Sequence, residues 1–490
     1  MKNILFFLIT IYPLILNAQS KRANNWITGY SGNKITFDGI NITTTGGIYF
    51  PFKYFTSGNS CISDTNGNLI LASDGYNIYN NQGSYVEDGD TIVPKDFYID
   101  QDAWSALSQS SLFLPKDSNM FYFITPAMSD SRFADCNTLI NCYFDLLLYN
   151  VIDMNANGGL GKVTKRMQPL LQNANLRKTQ MMACKHGNGK DWWLLKNEGD
   201  NADVHTFLFT QDSVFDKGVQ TFNTPNWGPW DIRGQSTFNA DGSKFATATH
   251  CSSCGVIFIA DFDRCNGLLS NPRIIERPWG TMYDPVDTAK KEHLVSGLCF
   301  SPNGQFLYVS GRRNIYQYDL QDSTWYRVVG LDTSYSEFQD YETLYNAPDD
   351  KIYAGNWGGL SKQMSRIDNP DIKGAGCNFC PRCLRLDSLG ANGYVGTPPC
   401  MPNYGLGAKT CWPLSLPGPS KEGVDELIVF PNPVRDILLV KNKKGQKKDL
   451  YSIEGKLLYS TTKDEIVVTR FTKGIYILKC DGKSKKMIIE

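Results

Sequence analysis

The sequence predicts an all-β fold: a β-propeller of seven blades, with six and eight as the alternatives, followed by a small C-terminal β-sandwich. Three observations carry this reading. From about residue 25 to 411 the chain alternates short aromatic and β-branched runs with turn residues and has almost no stretch of helical period. A hairpin motif recurs along the same span. Beyond Cys411 the texture changes to a Pro-rich linker and then to a compact set of alternating runs.

The runs are NLILA (Asn68 to Ala72), MFYFI (Met120 to Ile124), CYFDLLLY (Cys142 to Tyr149), DWWLL (Asp191 to Leu195) and HTFLF (His205 to Phe209). VIFIA (Val256 to Ala260), QFLYV (Gln305 to Val309) and NIYQY (Asn314 to Tyr318) follow. Aromatic and β-branched side chains at this spacing fit pleated, half-buried surfaces. Six polar turns of the Asn/Asp-Gly type open such hairpins: Asp64 to Gly67, Lys116 to Asn119, Gly187 to Lys190, Asn239 to Gly242, Ser301 to Gly304 and Ala347 to Asp350. Gly67, Asn119, Gly189, Gly242, Gly304 and Asp350 lie 52, 70, 53, 62 and 46 residues apart, intervals that suit one four-stranded blade each. A blade cannot bury both of its faces alone, so blades stack radially and close a ring. The seventh blade is expected from the N-terminal strands around Lys34 to Ile40 joining strands from the end of the body.

At 490 residues the chain exceeds the roughly 250–300 at which single cores stop growing, so more than one unit or a repeat fold is required. Lys2 precedes an apolar run from Ile4 to Leu16 that ends in Leu16-Asn17-Ala18 before Gln19, which reads as a signal peptide over 1–18. The run is shorter than the roughly 18–20 residues a spanning helix needs, and no later segment reads as transmembrane. The expected divisions are thus a leader (1–18), a propeller-like body (19–411), a Pro-rich linker (412–424) and a C-terminal module (425–490). The 49 basic residues balance the 49 acidic ones, which removes the general electrostatic reason to bind nucleic acid but leaves a local patch open.

Fourteen cysteines in an exported chain read first as disulfides. Close pairs are Cys136 with Cys142 and Cys251 with Cys254. A denser group is Cys377, Cys380, Cys383, Cys400 and Cys411, whose C-x-x-C-x-x-C opening also has the spacing of a metal or iron–sulfur cradle. Disulfides are the preferred reading, with the connectivity open.

The tail is the most specific segment. VFPNPVRDILLV (Val429 to Val440), LYSIEGKLLYS (Leu450 to Ser460), GIYILKC (Gly474 to Cys480) and the lysine-rich stretch before MIIE resemble the type A sorting domain of the type IX secretion system. In that motif Pro431, Asn432 and Pro433 turn the chain after the first strand, Gly455 supplies a hairpin turn and Gly474 a close bend before the last strand. The resemblance implies a protein of the Bacteroidota carried across the outer membrane by that machinery, to be secreted or held at the cell surface. The body is similar to exported propeller-like proteins of the same bacteria. That similarity rests on CISDTNGNLILASDGYNIYNNQG (Cys61 to Gly83), LYNVIDMNANGGLGKV (Leu148 to Val163), ACKHGNGKDWWLL (Ala183 to Leu195), IADFDRCNGLLSNP (Ile259 to Pro272) and GLCFSPNGQFLYVS with IYQYDL (Gly297 to Leu320). It implies fold and export and assigns no activity.

Signatures of catalysis are weak. His186, His205, His250 and His293 stand in no HExxH pattern, and no G-x-S-x-G elbow occurs. His186 reads as a turn histidine bonded to backbone. Asp261 and Asp263 alternate along a strand and share a face. No catalytic residue and no cofactor is therefore assigned. Asp153 to Gly158 begins a calcium-loop pattern, yet the twelfth position is Thr164 where the bidentate Glu would stand. The functional expectation is a non-enzymatic module that binds an extracellular protein or glycan, with Trp192, Trp193, Trp227, Trp230 and Trp357 as aromatics of its loop edges. A secreted hydrolase or lyase acting on glycans or peptides is one alternative, and a structural component of adhesion or motility machinery is another.

Overall fold

The computed structural model describes residues 21–30, 32–39, 41–46, 54–55, 57–97, 107–136, 142–199, 201–224, 234–249, 256–275, 295–311, 314–330, 341–355, 361–386, 396–411, 427–441, 444–453 and 455–490. The leader expected over 1–18 and the cysteines 251 and 254 lie outside them. The chain divides into two compact units between Cys411 and Trp412.

Among the described residues the first unit holds seven antiparallel sheets. The first comprises β1 (Asn25–Tyr30), β2 (Asn33–Asp38), β3 (Asn41–Thr45) and β4 (Tyr54–Phe55), and the second β5 (Ser60–Ser63), β6 (Leu69–Ser73) and β7 (Ile78–Asn80). The third is β8 (Leu112–Pro115), β9 (Met120–Ala127), β10 (Leu146–Asp153) and β11 (Lys162–Leu171). The fourth is β12 (Leu176–Lys185), β13 (Trp192–Glu198), β14 (Asp203–Phe209) and β15 (Val214–Gln220). Then come β16 (Ser236–Phe238), β17 (Lys244–Ala248), β18 (Ile257–Asp263) and β19 (Leu268–Ile275), and β20 (Gly297–Phe300), β21 (Phe306–Ser310), β22 (Ile315–Asp319) and β23 (Trp325–Val329). The seventh is β24 (Thr343–Asn346), β25 (Ile352–Gly355), β26 (Gln363–Ile367) and β27 (Phe379–Arg385).

The first strands of successive sheets, among them β5 and β8, or β12, β16, β20 and β24, lie against one another, so each sheet radiates from a common axis. Burial follows that geometry. β21 and β25 are buried at every position because a blade stands on each side of them, whereas the outer strand β3 alternates between exposed and half-buried. Runs such as FLYVS and WWLL are apolar without alternation for this reason. Neighbouring blades share cores: Ile257 and Ile259 pack with Leu298 and Leu307, and Cys299 and Tyr308 with Leu344 and Ile352.

All six turns of the repeat join the first and second strands of a sheet. The turn carboxylates and amides accept local backbone donors: Asp64 Oδ1 takes Asn66 N and Asn68 N, both at 2.8 Å, and Asn303 Oδ1 takes Gln305 N at 2.9 Å. The blade that lacks the motif is the first. Its sheet order is β3-β2-β1-β4, with β1 against β5 of the next sheet, and none of the six turns falls within it. Here the sequence expectation is corrected. The N-terminal strands complete their own sheet, and β24–β27 complete the last one without them. The CYFDLLLY run is corrected as well, since the strand begins at Leu146 and Cys142 is tied in a disulfide.

Ring closure rests on side chains and on no shared sheet. Trp26 and Phe37 of the first sheet meet Tyr353 of the seventh edge to face, at 5.3 and 5.8 Å between centroids, within a cluster that includes Met364 and Leu384. Trp26→Ala should therefore destabilise the body by about 3–5 kcal/mol, against less than about 0.5 kcal/mol for Thr43→Ala on the exposed β3. Denaturant midpoints of the two variants test this.

The second unit is a two-sheet sandwich of β28 (Ile428–Phe430), β29 (Ile437–Lys441), β30 (Lys448–Ser452), β31 (Leu457–Thr461), β32 (Glu465–Val467), β33 (Gly474–Cys480) and β34 (Lys483–Ile489). The orders are β28-β29-β32 and β31-β30-β33-β34. Val429, Leu438, Val440 and Ile466 of one sheet pack on Leu450, Leu478, Met487 and Ile489 of the other, the period-2 pattern of a sandwich core.

Candidate functional site

The axis of the ring is filled by the chain itself. Residues Gly396 to Cys400 are all buried, and the segment they begin contacts blade after blade on its way to Cys411. Asn59 Nδ2 donates to Thr397 O and Asn59 O accepts from Cys400 N, at 3.2 and 2.9 Å. Tyr404 is buried against Trp192, its hydroxyl donates to Phe113 O at 2.8 Å, and its carbonyl accepts from Lys185 Nζ at 2.8 Å. Asn403 reaches Ala240 O, and Arg264 reaches Gly407 O. The segment thus engages the second, third, fourth and fifth sheets and ends on the face that carries the repeated turns.

A disulfide between Cys265 and Cys411, 146 residues apart in sequence, fastens that end. The turn at Gly187 abuts it so closely that a Cβ there would lie 2.1 Å from Cys411 Sγ, a distance no side chain tolerates. His186 sits in the same turn. Its Nδ1 accepts from Asn188 N at 3.0 Å and its Nε2 lies 3.1 Å from Cys265 O, so it is a turn histidine that ties two blades together.

The other cysteines divide into two kinds. Cys136–Cys142 and Cys380–Cys383 are bonded pairs that close short loops. Cys377 and Cys400, grouped with the disulfide candidates from their spacing, are instead buried thiols, because each faces the blade core with no second sulfur in reach. Cys265 was absent from that group, since nothing local marks a partner so distant. Around Cys400 stand Lys196 and Tyr345. Burial pushes the Cys400 thiol up to about 12 and holds the fully buried Lys196 amine, which donates to Thr179 O, well below its usual value. The same desolvation acts on both groups in the direction of their uncharged forms, raising the thiol and lowering the amine.

Trp192 and Trp193 are core residues, 2% exposed, with Trp193 Nε1 donating to Arg264 O at 2.8 Å. Trp227, Trp230 and Trp357 lie outside the described residues. Asp261 pairs with Lys244 at 2.7 Å and accepts from Asn271, which commits it to the blade surface. The Asp153 to Gly158 loop is the β10–β11 turn, in which Asp153 Oδ1 accepts from Asn155 N and Asn155 Oδ1 from Asn119 Nδ2. Among the described residues no group of three His, Cys, Asp or Glu side chains could hold a metal ion.

One histidine joins charges across three strands. His205 Nδ1 lies 3.0 Å from Glu198 Oε2 and Nε2 2.7 Å from Asp216 Oδ1. Burial acts to lower its pKa, and the bonds to the two carboxylates outweigh burial and raise it. A group whose folded pKa is raised contributes stability that is complete below its unfolded value, about 6.5, and that disappears as pH climbs through the folded value.

In the second unit the first strand stops at Phe430, and Pro431, Asn432 and Pro433 form the bend that follows. Asn432 works as a strand substitute: its Nδ2 donates to Lys486 O at 3.0 Å and its Oδ1 accepts from Ile488 N at 2.8 Å. Gly455 closes the β30–β31 turn with φ +85°. Gly474 departs from the expected bend, because it is the first residue of β33 and pairs with Ile489.

Residues 428–490 match the family described as the secretion system C-terminal sorting domain. No curated protein matches the chain. Among solved structures it is similar to a functionally unknown protein from Desulfotomaculum acetoxidans, with 14% identity and a TM-score of 0.41, over 77% of this chain and 99% of that one. It is also similar to a candidate 6-phosphogluconolactonase from Bacteroides uniformis, with 12% identity and a TM-score of 0.33, over 95% of this chain and 100% of that one. Fold and tail together define an exported protein with a propeller body and a separate address module. The address is that of the type IX secretion system, and the protein is secreted or displayed at the cell surface. Among the described residues no helix is long and apolar enough to cross a membrane.

Two outcomes follow from this geometry. Cys411→Ser should lower stability by about 3–5 kcal/mol and Cys136→Ser, which opens a six-residue separation, by less, measured as thermal midpoints of the oxidised proteins. His205→Gln should flatten the loss of stability that the parent protein shows as pH rises from below about 6.5, measured as denaturant midpoints across pH 5.5 to about 9.

Proposed function

We propose that the propeller body is a non-enzymatic binding module, exported by the type IX system to engage a protein or glycan outside the cell. The observation that carries this reading is the filled axis. A propeller offers ligands either its central channel or one of its faces. The segment Gly396 to Tyr404, buried from Gly396 to Cys400 and again at Pro402 and Tyr404, occupies the channel, and its continuation to Cys411 is stitched over the face of the repeated turns. The opposite face remains. There the last strand of one sheet ends and the first strand of the next begins, for example β19 at Ile275 and β20 at Gly297.

The Lys196, Tyr345 and Cys400 group supports the same reading, since burial shifts the pKa of each toward its uncharged form. The full chain is expected to bind, saturably, a component of a glycan array or of a solubilised envelope fraction. Release of sugar or peptide products from a polysaccharide and protein panel would replace this reading with the hydrolase or lyase one. Deletion of residues 425–490 should shift the protein from the surface and medium to the cell interior, measured by fractionation, and unchanged surface display would overturn the export reading.

A further inference from the structure

The balanced charge of the whole chain conceals a polar distribution. Residues 428–490 contain 14 of the 49 lysines and arginines but only 7 of the 49 acidic residues. The fold concentrates this excess further. The β29–β30 connection, the β31–β32 connection and the β33–β34 turn meet at one end of the sandwich, as the pairing of Lys448 with both Thr461 and Cys480 requires.

Lys448 holds the three together. Its side chain is fully buried, and its ammonium lies 2.9 Å from Asp464 Oδ1, 3.0 Å from Gln446 O and 3.4 Å from Thr462 O. Around this hub Lys444, Lys447, Lys463 and Lys483 are exposed. The acidic groups of the same connections are few. Asp464 is engaged by Lys448 and Asp449 by Lys447 and Ser460, and Glu465 and Asp481 are the other carboxylates of this end. A buried lysine thus holds together an end of the module at which lysines outnumber the carboxylates left unengaged by Lys448 and Lys447.

We propose that this end of the sorting module is an electrostatic docking surface for an anionic lipid membrane. The complementarity is that of clustered lysines with phosphate-bearing headgroups, and each lysine near such a surface strengthens attachment about fivefold. The module needs no insertion for this: the attraction acts within a Debye length of about 8–10 Å and holds the chain beside the bilayer while its address is read. The surface is independent of whatever ligand the propeller binds.

The test is co-sedimentation of the full chain with phosphatidylcholine vesicles that contain, or lack, about one-third phosphatidylglycerol. Binding should require the anionic lipid and weaken as salt is raised. The K444E/K447E/K463E/K483E variant should lose about 100-fold or more in partitioning, and the corresponding Lys→Arg variant should retain it. Circular dichroism of both variants verifies the fold, since the four side chains are exposed. Equal binding to neutral vesicles, unchanged binding by the Glu variant, or binding to duplex DNA without binding to vesicles would each overturn the proposal.

Discussion

A four-stranded antiparallel sheet with apolar side chains on both faces has no stable existence alone, and every larger feature of this body follows from that constraint. Each blade covers one face of the next, so the burial debt of the last blade is settled only when it meets the first. The chain meets it with aromatics, Trp26 and Phe37 against Tyr353, and not with a shared strand. Closure by packing lets both terminal blades be complete sheets, each with its own hydrogen-bonded ladder. It also concentrates the closure of the ring in a few side chains whose contacts span most of the body in sequence.

A closed ring of sheets leaves a lumen lined by inner strand edges and small polar residues. The segment from Gly396 to Tyr404 supplies the missing partners there: Asn59, Phe113 and Lys185 find hydrogen bonds in it. Because it is the last part of the body in sequence, it enters a framework that the earlier blades define. The Cys265–Cys411 bond then ties the end of the body to the fifth blade.

The second unit follows a different physics. Its core is small, with one layer of apolar residues from each sheet, and its outer surface is strongly basic. Such a module is recognised by its edges and its charge more than by a cavity. Asn432, which replaces a strand's backbone pairing with its own amide, and Lys448, which gathers three connections, are the side chains that give those edges a defined form.

Local chemistry was legible in the sequence, and distant pairing was not. The six Asx-Gly turns, the inner strands and the sorting motif could be read because each depends on residues within a few positions: a carboxylate accepting from the next two amides, or alternation matched to a pleat. The same locality explains the failures. The first blade was misread because it carries none of the six turns by which the other blades were found. Cys377 and Cys400 look like members of a disulfide cluster by spacing, yet a disulfide needs converging Cβ atoms, and those positions face packed cores. Cys265 has its partner 146 residues away, a distance only the closed ring abolishes. What the sequence alone determined was therefore the repeat unit and the address, since both are written in short-range hydrogen bonding and hydrophobic period. Only the tertiary structure decided how the ring closes, what fills its axis and which thiols join, since those depend on which blades become neighbours once all of them have folded.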